Sequence, residues 1–513
     1  MWILIPSTLV VIAIALPLVY LFIRTVGIGS ELNDILFRIR TFEILFRSLA
    51  LVVAVSCTSI LIAIPLAWLT VKTDMPFRGI FSVITILPLV IPSYVGGFVF
   101  IAVLGPNGIL QEWLEPFGVE RLPNLYGFPG AMLTLTFITY PYVLLPVRAA
   151  LIRLDRSLDE SSRSLGKSYI TTFMSVTLPM IRPAIAAGAL LVGLYTLSDF
   201  GAVSLLHYET FTWAIYVQYG SFARDIASGL SLILAGIAFG IIVLEGRARG
   251  TGANYHTTTG VPRPQTVIKL GFWRWPSVIL CTTVVSMSVL VPTLALVYWT
   301  KLDMLSEESL ATLSIHLWNT LHVSGLASII TVCAAIPIAA LSIRYASYIS
   351  SIIEKLSYIG FALPGIVVAL AMVFFGIHYA TPFYQTISIL VFAYLVLFLP
   401  GALGNIRNSF LQISPSIEES ARSLGHSPFQ VFRTITLPLL KTGILAGLVM
   451  VFLLTMKELP ATLILSPIGF QTLATSIWSA TEDGFFATAS TSALMLVLAA
   501  SIPTFIVAWI GRR

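Results

Sequence analysis

Three groups of side chains in this sequence have the chemistry to handle a small molecule. Gly166-Lys167-Ser168 matches by residue type the end of a phosphate-binding loop, in which backbone N–H groups cradle oxygens and a lysine meets their charge. The full pattern needs glycine at position 161 and a strand before it, but Ser161 stands there and an apolar run precedes it. Nucleotide hydrolysis is therefore not expected of this chain. The six histidines, at 207, 256, 316, 322, 378 and 426, show no HExxH or other clustered ligand spacing, so no stable metal site is expected. The third group is Asp199 and Glu458, carboxylates that each follow a long apolar run, where charge is costly. Two roles fit them. They line a route for a polar solute, or they cap helix ends or pair with a neighbour such as Lys457 at the water boundary.

The elements that must position these groups belong to a bilayer. The chain has 513 residues, 57% hydrophobic and 10% charged, with mean hydropathy +0.94, and its apolar surface exceeds what a water-soluble core could hold. Twelve apolar windows read as spans, at about 2–23, 46–71, 81–104, 131–152, 180–200, 229–245, 277–299, 322–343, 356–377, 386–404, 440–460 and 489–510. The expected fold class is an all-α polytopic membrane protein. Residues 2–23 lack a basic leader and a small-residue cleavage site, and read as a retained first span. The net charge of +6 is not gathered into a basic stripe with interleaved aromatics, so nucleic acid is not an expected partner. Cys57, Cys281 and Cys333 all lie in apolar runs without paired spacing and read as small buried hydrophobes. Most of the 29 Lys and Arg residues fall in loops on one side if the N-terminus is cytoplasmic, which predicts that both termini are cytoplasmic. Arg24, Arg38, Arg40 and Arg47 in the first outer loop run against that trend.

The chain is also duplicated. "DESSRSLGKSYITTFMSVTLPM" at 159–180 returns as "EESARSLGHSPFQVFRTITLPL" at 418–439, a constant offset of 259 that also places Pro141 on Pro400, Arg148 on Arg407 and "SDFGAVSLL" (198–206) on "KELPATLIL" (457–465). Two homologous six-span halves follow, 1–245 and 276–513, joined by a Gly-, Thr-, Pro- and base-rich linker over 246–275. A linker that leaves and returns on one side makes the repeats parallel. Each repeated phrase predicts a capping box, Ser157 with Glu160 and Ser416 with Glu419, then a short helix ended by Gly166 or Gly425. In the later copy Ser427, Pro428 and Gln430 predict a second helix start, and in both the Leu-Pro pair opens the next span. A single phrase of this kind reads as a capped loop, whereas two at fixed spacing suggest matched docking sites for a paired partner.

These phrases resemble the signature of the membrane permease subunits of ATP-binding-cassette importers, E-A-A-x3-G-x9-I-x-L-P, with the alanines partly replaced by serine and the first Ile by Val176. The resemblance implies that Glu160, Gly166, Leu178 and Pro179, and Glu419, Gly425, Leu437 and Pro438, form two coupling helices. These would dock on two cytoplasmic ATPase subunits that hold ATP and magnesium, with no cofactor on this chain. It implies a periplasmic substrate-binding protein and a bacterial inner-membrane location. "SDFGAVSLL", "KELPATLIL" and "YETFTWAIY" (208–216) look most like fused ferric-iron permeases, although sulfate, molybdate, polyamine, thiamine and phosphonate permeases carry related phrases. A hard trivalent cation favours carboxylate and phenolate oxygen, which adds Tyr195 and Tyr216 to Asp199 and Glu458 as pathway candidates. Glu112, Glu115, Glu120, Glu209, Glu482 and Asp483 are the acidic candidates for docking a binding protein, with ordinary solvated loops as the alternative. An ion-driven secondary transporter would bury ionisable groups at mid-span, where this chain holds almost none.

Overall fold

Backbone N–H and C=O groups find no partner in hydrocarbon, so a chain this apolar satisfies them within helices. The computed structural model describes residues 3–248 and 267–510, apart from positions 28, 30–33, 36, 107, 120, 155, 303–306 and 346. Among the described residues ten helices are long and apolar enough to cross a membrane. An eleventh span results if the bent pair Pro428–Leu439 and Lys441–Met456 counts as one.

Of the twelve expected windows, 356–377 yields no span and 440–460 becomes the bent pair, while 81–104 keeps a span that starts later, as Ser93–Phe117. Window 81–104 is broken between Arg78–Ile84 and Ser93–Leu104, at Pro88 and Pro92. Window 356–377 is broken between Tyr348–Ser357 and Gly365–Tyr379, at Pro364. The latter helix, 15 residues long, reaches only about 22 Å and cannot cross roughly 30 Å of hydrocarbon. The two breaks are one repeat apart: before the loops that follow the third windows the halves superpose with an offset of 272, and after them with 259. The first half therefore carries 13 more residues between its third and fourth windows. They lie in the segment with the short helix Ile109–Leu114, which exposes Trp113 and Glu112 and leads to exposed Phe117.

Two compact units form, and neither is a contiguous half. One comprises 39–213 and 236–299, the other 1–38, 214–235 and 300–513. In the second unit the chain's first helix, Leu4–Gly27, packs on Gly365–Tyr379 and on Glu307–Arg344. In the first unit the helical run Gly271–Lys301 joins the earlier repeat through residues up to 299. Repeat boundary and compact body thus differ: the first half gives residues 1–38 and 214–235 to the second unit, and the second half gives residues up to 299 to the first.

Inside each unit small and hydroxylated residues bring helices together, as expected where apolar surface alone cannot tell a helix from lipid. Helix Ile39–Lys72 buries Ser48, Leu51, Val55, Ser59, Ala63 and Leu66 in one stripe, while Phe46, Val53 and Leu61 face outward. Its Thr58 and Ser59 share hydrogen bonds with Thr136 (2.7 Å) and Thr139 (3.3 Å) of helix Phe128–Arg153. Gly188 lies so close to the Val143 backbone that a Cβ would come within 2.6 Å of its Cα, and its match Gly447 meets Ala402, the match of Val143. A tie recurs near the phrases: Arg148 donates to the Ser82 carbonyl, and at the matched positions Arg407 pairs with Glu354 at 2.9 Å.

Of the linker expected at 246–275, positions 249–266 lie outside the described residues. Its last part is docked on the first unit. Ile268 forms a parallel bridge with Thr73, Asp74 accepts the Leu270 N–H (2.8 Å), and the Arg274 guanidinium pairs with the same carboxylate.

Candidate functional site

The two repeated phrases fold alike. Helices Arg156–Ser164 and Pro415–Ser423 end at Gly166 and Gly425, with φ +81° and +89°. Lys167 donates back to Ser162 and Gly166 to Arg163, and His426 and Gly425 donate in the same pattern to Ala421 and Arg422. This double bond at a helix end requires the left-handed turn that glycine adopts without strain. Both glycines stand in open space, so conformation and not crowding selects them.

The helix starts differ from the capping boxes expected at Ser157 and Ser416. In the second copy the cap is Ser414, whose hydroxyl accepts the Ser416 N–H, and Pro415 takes the first helical position. The Ser-Pro pair supplies both a cap and a fixed φ, so the helix begins earlier and Ser416 falls inside it. In the first copy Ser157 likewise lies inside the helix, and the preceding position 155 is outside the described residues. Glu160 and Glu419 are exposed. The second start holds as expected: Ser427 and Gln430 cap each other, and Ser168 caps the equivalent helix in the first copy by accepting from Thr171.

The Leu-Pro pairs do not open a new helix. Each follows a π turn, Phe173–Thr177 or Phe432–Thr436, through which the helix runs on. Proline lacks the N–H for an α-helical bond and its ring strikes the carbonyl four residues back; widening the preceding turn relieves both. The copies then diverge. Tyr169–Ser198 continues as one run, whereas Pro428–Leu439 meets Lys441–Met456 at 67°.

Sequence reasoning did not single out the apolar tips. Leu165 and Leu424, each just before the glycine, are both 81% exposed, and Ile170 and Phe429, one repeat apart, are exposed as well. The Arg163 guanidinium lies 3.9 Å from the Tyr169 ring centre. The signal was present in the offset of 259, which pairs apolar residues at positions where a solvated loop has no need of them.

Asp199 and Glu458 are both helix caps. Asp199 is buried, and its Oδ1 accepts the N–H groups of Ala202 (3.0 Å) and Val203 (3.3 Å) at the start of Gly201–Leu205. Glu458 Oε1 accepts the Ala461 N–H (3.1 Å) beside Pro460–Leu465. Each also meets the first residue of the helix after the proline break. The Ser93 hydroxyl lies beside Asp199, and a Cβ on Gly365 would collide with Glu458 Oε1. Tyr195 joins the first cluster, since Ser93 also lies beside its phenol and Tyr142 packs on its ring at 5.6 Å. Tyr216 is not brought to Glu458; its ring stands edge-on to Trp478 at 5.7 Å. The phenol near Glu458 is Tyr394, hydrogen-bonded to Thr462, whose hydroxyl donates to the Glu458 carbonyl.

At the opposite helix ends, Glu112, Glu115, Glu482 and Asp483 are exposed, while Glu120 lies outside the described residues. Glu209 is not a free docking charge. Arg40 (2.8 Å) and Arg47 (3.1 Å) both hold it, which gives two of the four misplaced arginines a partner.

The family model for the binding-protein-dependent transport system inner membrane component matches residues 59–244 and 332–513. The chain is 37% identical to the Fe(3+)-transport system permease protein FbpB 2 of Haemophilus influenzae, over 98% of this chain and 97% of that protein. It is 26% identical to the ferric transport system permease protein FbpB of Actinobacillus pleuropneumoniae, over 86% and 67%. A probable molybdenum ABC transporter permease protein of Haloferax volcanii is 29% identical over 41% of this chain and 75% of its own length.

Proposed function

The chain belongs to the inner membrane components of binding-protein-dependent transport systems, and from that membership we propose that it is the permease subunit of an ATP-driven importer of ferric iron. Two permease halves, 1–245 and 276–513, are joined by the linker 246–275, with both termini cytoplasmic. The observation that carries the reading is the matched pair of polar helix–turns, each with a leucine exposed beside a left-handed glycine. An exposed apolar side chain on a rigid turn is what a groove on a partner takes up. Two ATPase subunits, which bind ATP and magnesium, close on ATP and displace the two coupling helices, opening a cavity toward a docked, loaded periplasmic binding protein. Glu160, Gly166, Leu178 and Pro179, with Glu419, Gly425, Leu437 and Pro438, act in that coupling. Asp199, Glu458, Tyr195 and Tyr216 are the oxygens proposed for the route. The iron assignment rests on the ferric-transport relatives.

The experiment is radiolabelled uptake into membrane vesicles carrying this chain with its ATPase and binding protein, comparing ferric iron with sulfate, thiamine and putrescine, with and without ATP. Iron uptake that needs ATP and resists competition by the other solutes is expected. Uptake of another solute keeps the importer and discards iron, and transport indifferent to ATP overturns the class.

A further inference from the structure

Immediately before Glu419, the acid of the family signature, stands a second acid that faces the other way. Glu418 is buried, and its Oε2 lies 3.1 Å from Nε of Arg344, the last residue of helix Glu307–Arg344. The Thr436 hydroxyl donates to its other oxygen at 2.9 Å. Thr436 closes the π turn that precedes Leu437-Pro438. Arg344 also donates to the Ile413 carbonyl (2.9 Å) and lies over the Phe410 ring at 5.8 Å, both at the end of helix Ile387–Gln412. One charge pair, its side chains only 13% and 10% exposed, therefore ties the coupling helix Pro415–Ser423 to two membrane helices and to the entry of a third.

We infer that Arg344, Glu418 and Thr436 are the joint that carries movement of the second coupling helix into the membrane helices; the inference rests on the coupling role proposed above. A helix held by apolar contact alone can slide, whereas parting a desolvated ion pair strands two charges, so this contact moves as a unit or not at all. The two adjacent acids then have separate roles, Glu419 exposed toward a partner and Glu418 gripping the helix ends. The first copy repeats the residue types. At the matched positions stand Lys72 and Thr177, only 5% and 4% exposed, and Asp159, whose side chain lies outside the described residues. A lysine, an acid and a threonine thus recur where an arginine, an acid and a threonine meet.

The test uses the whole chain in proteoliposomes with its ATPase and binding protein, and reads iron moved per ATP hydrolysed in the same vesicles. Glu418→Gln keeps the side-chain size and an acceptor for Thr436 but removes the charge. The ratio is expected to fall about ten-fold, within the range that coupling positions command, while membrane level and ATPase co-purification stay at wild type. A purely structural pair would lower the amount of protein and leave the ratio unchanged, which overturns the inference. If Glu418→Gln does not accumulate, Thr436→Val carries the test, since it keeps the ion pair and removes one hydrogen bond. A lowered ratio restored by Thr436→Ser supports the joint, and an unchanged ratio overturns it. Absence of ATP-dependent uptake by the wild-type chain overturns the importer reading itself, and the joint with it, and is seen before any variant is compared.

Discussion

Gly166 and Gly425 hold φ values of +81° and +89° in open surroundings, so replacing them strains the backbone without a clash. A left-handed residue other than glycine costs about 1–2 kcal/mol, and a β-branched one is the least tolerant. Gly166→Val with Gly425→Val should therefore leave the protein in the membrane, abolish uptake and weaken ATPase co-purification; unchanged uptake would remove the coupling assignment. Asp199 presents a different balance. Capping accounts for its burial, and Asp199→Ala should cost about 1 kcal/mol, as lost caps do, read as a lower Tm in detergent. Asp199→Asn keeps an acceptor for the same N–H groups. If the route passes this carboxylate, Asn lowers uptake at an unchanged Tm, and if Asp199 is only a cap, both are kept.

At the scale of the element, the π turns tie backbone geometry to proline. The three among the described residues, Phe173–Thr177, Ser286–Leu290 and Phe432–Thr436, end two residues before a proline. With Pro179→Ala and Pro438→Ala the reason for the wide turn disappears, and an ordinary α-helix rotates the coupling phrase relative to its span. The double variant is expected to melt higher and transport less. Normal transport would show that the turn's register is immaterial. The docked end of the linker gives a pH prediction. Arg274 beside Asp74, with the Leu270 N–H, holds that carboxyl below its ordinary range. A depressed acid contributes above its unfolded pKa, near 4, and loses that contribution as pH falls through the folded value. Spin labels at Phe77 and Phe272, both exposed, should keep their distance from pH 8 to 5 and separate only in stronger acid. Separation near neutrality would sever Asp74 from this role. The sequence made the phrases, their glycines and the Ser427 cap legible, because these depend on local backbone chemistry. It did not reveal the cap at Ser414 or the inward turn of Glu418. Ser414 and Ser416 are equally good caps by type, and which of two adjacent acids is buried depends on Arg344, which lies 74 positions earlier in the chain.

For the whole molecule, the exchanged helices have the largest consequence. Duplication was legible as a constant offset, but the exchange was not, because two similar repeats offer the first helix two similar surfaces. Leu4–Gly27 finds its partners, Gly365–Tyr379 and Glu307–Arg344, in the other half of the chain. Residues 1–255 expressed alone should therefore be degraded or aggregate, whereas co-expression with 256–513 should restore membrane accumulation and co-purification of the two pieces. Stable accumulation of either piece alone would contradict this dependence. The 13 additional residues of the first half bear on another property. Two identical subunits would offer a visiting protein two equivalent ways of landing, related by a half turn. Here the two halves are unequal at that segment, so a partner that met both would find two distinguishable ends in place of two equivalent ones.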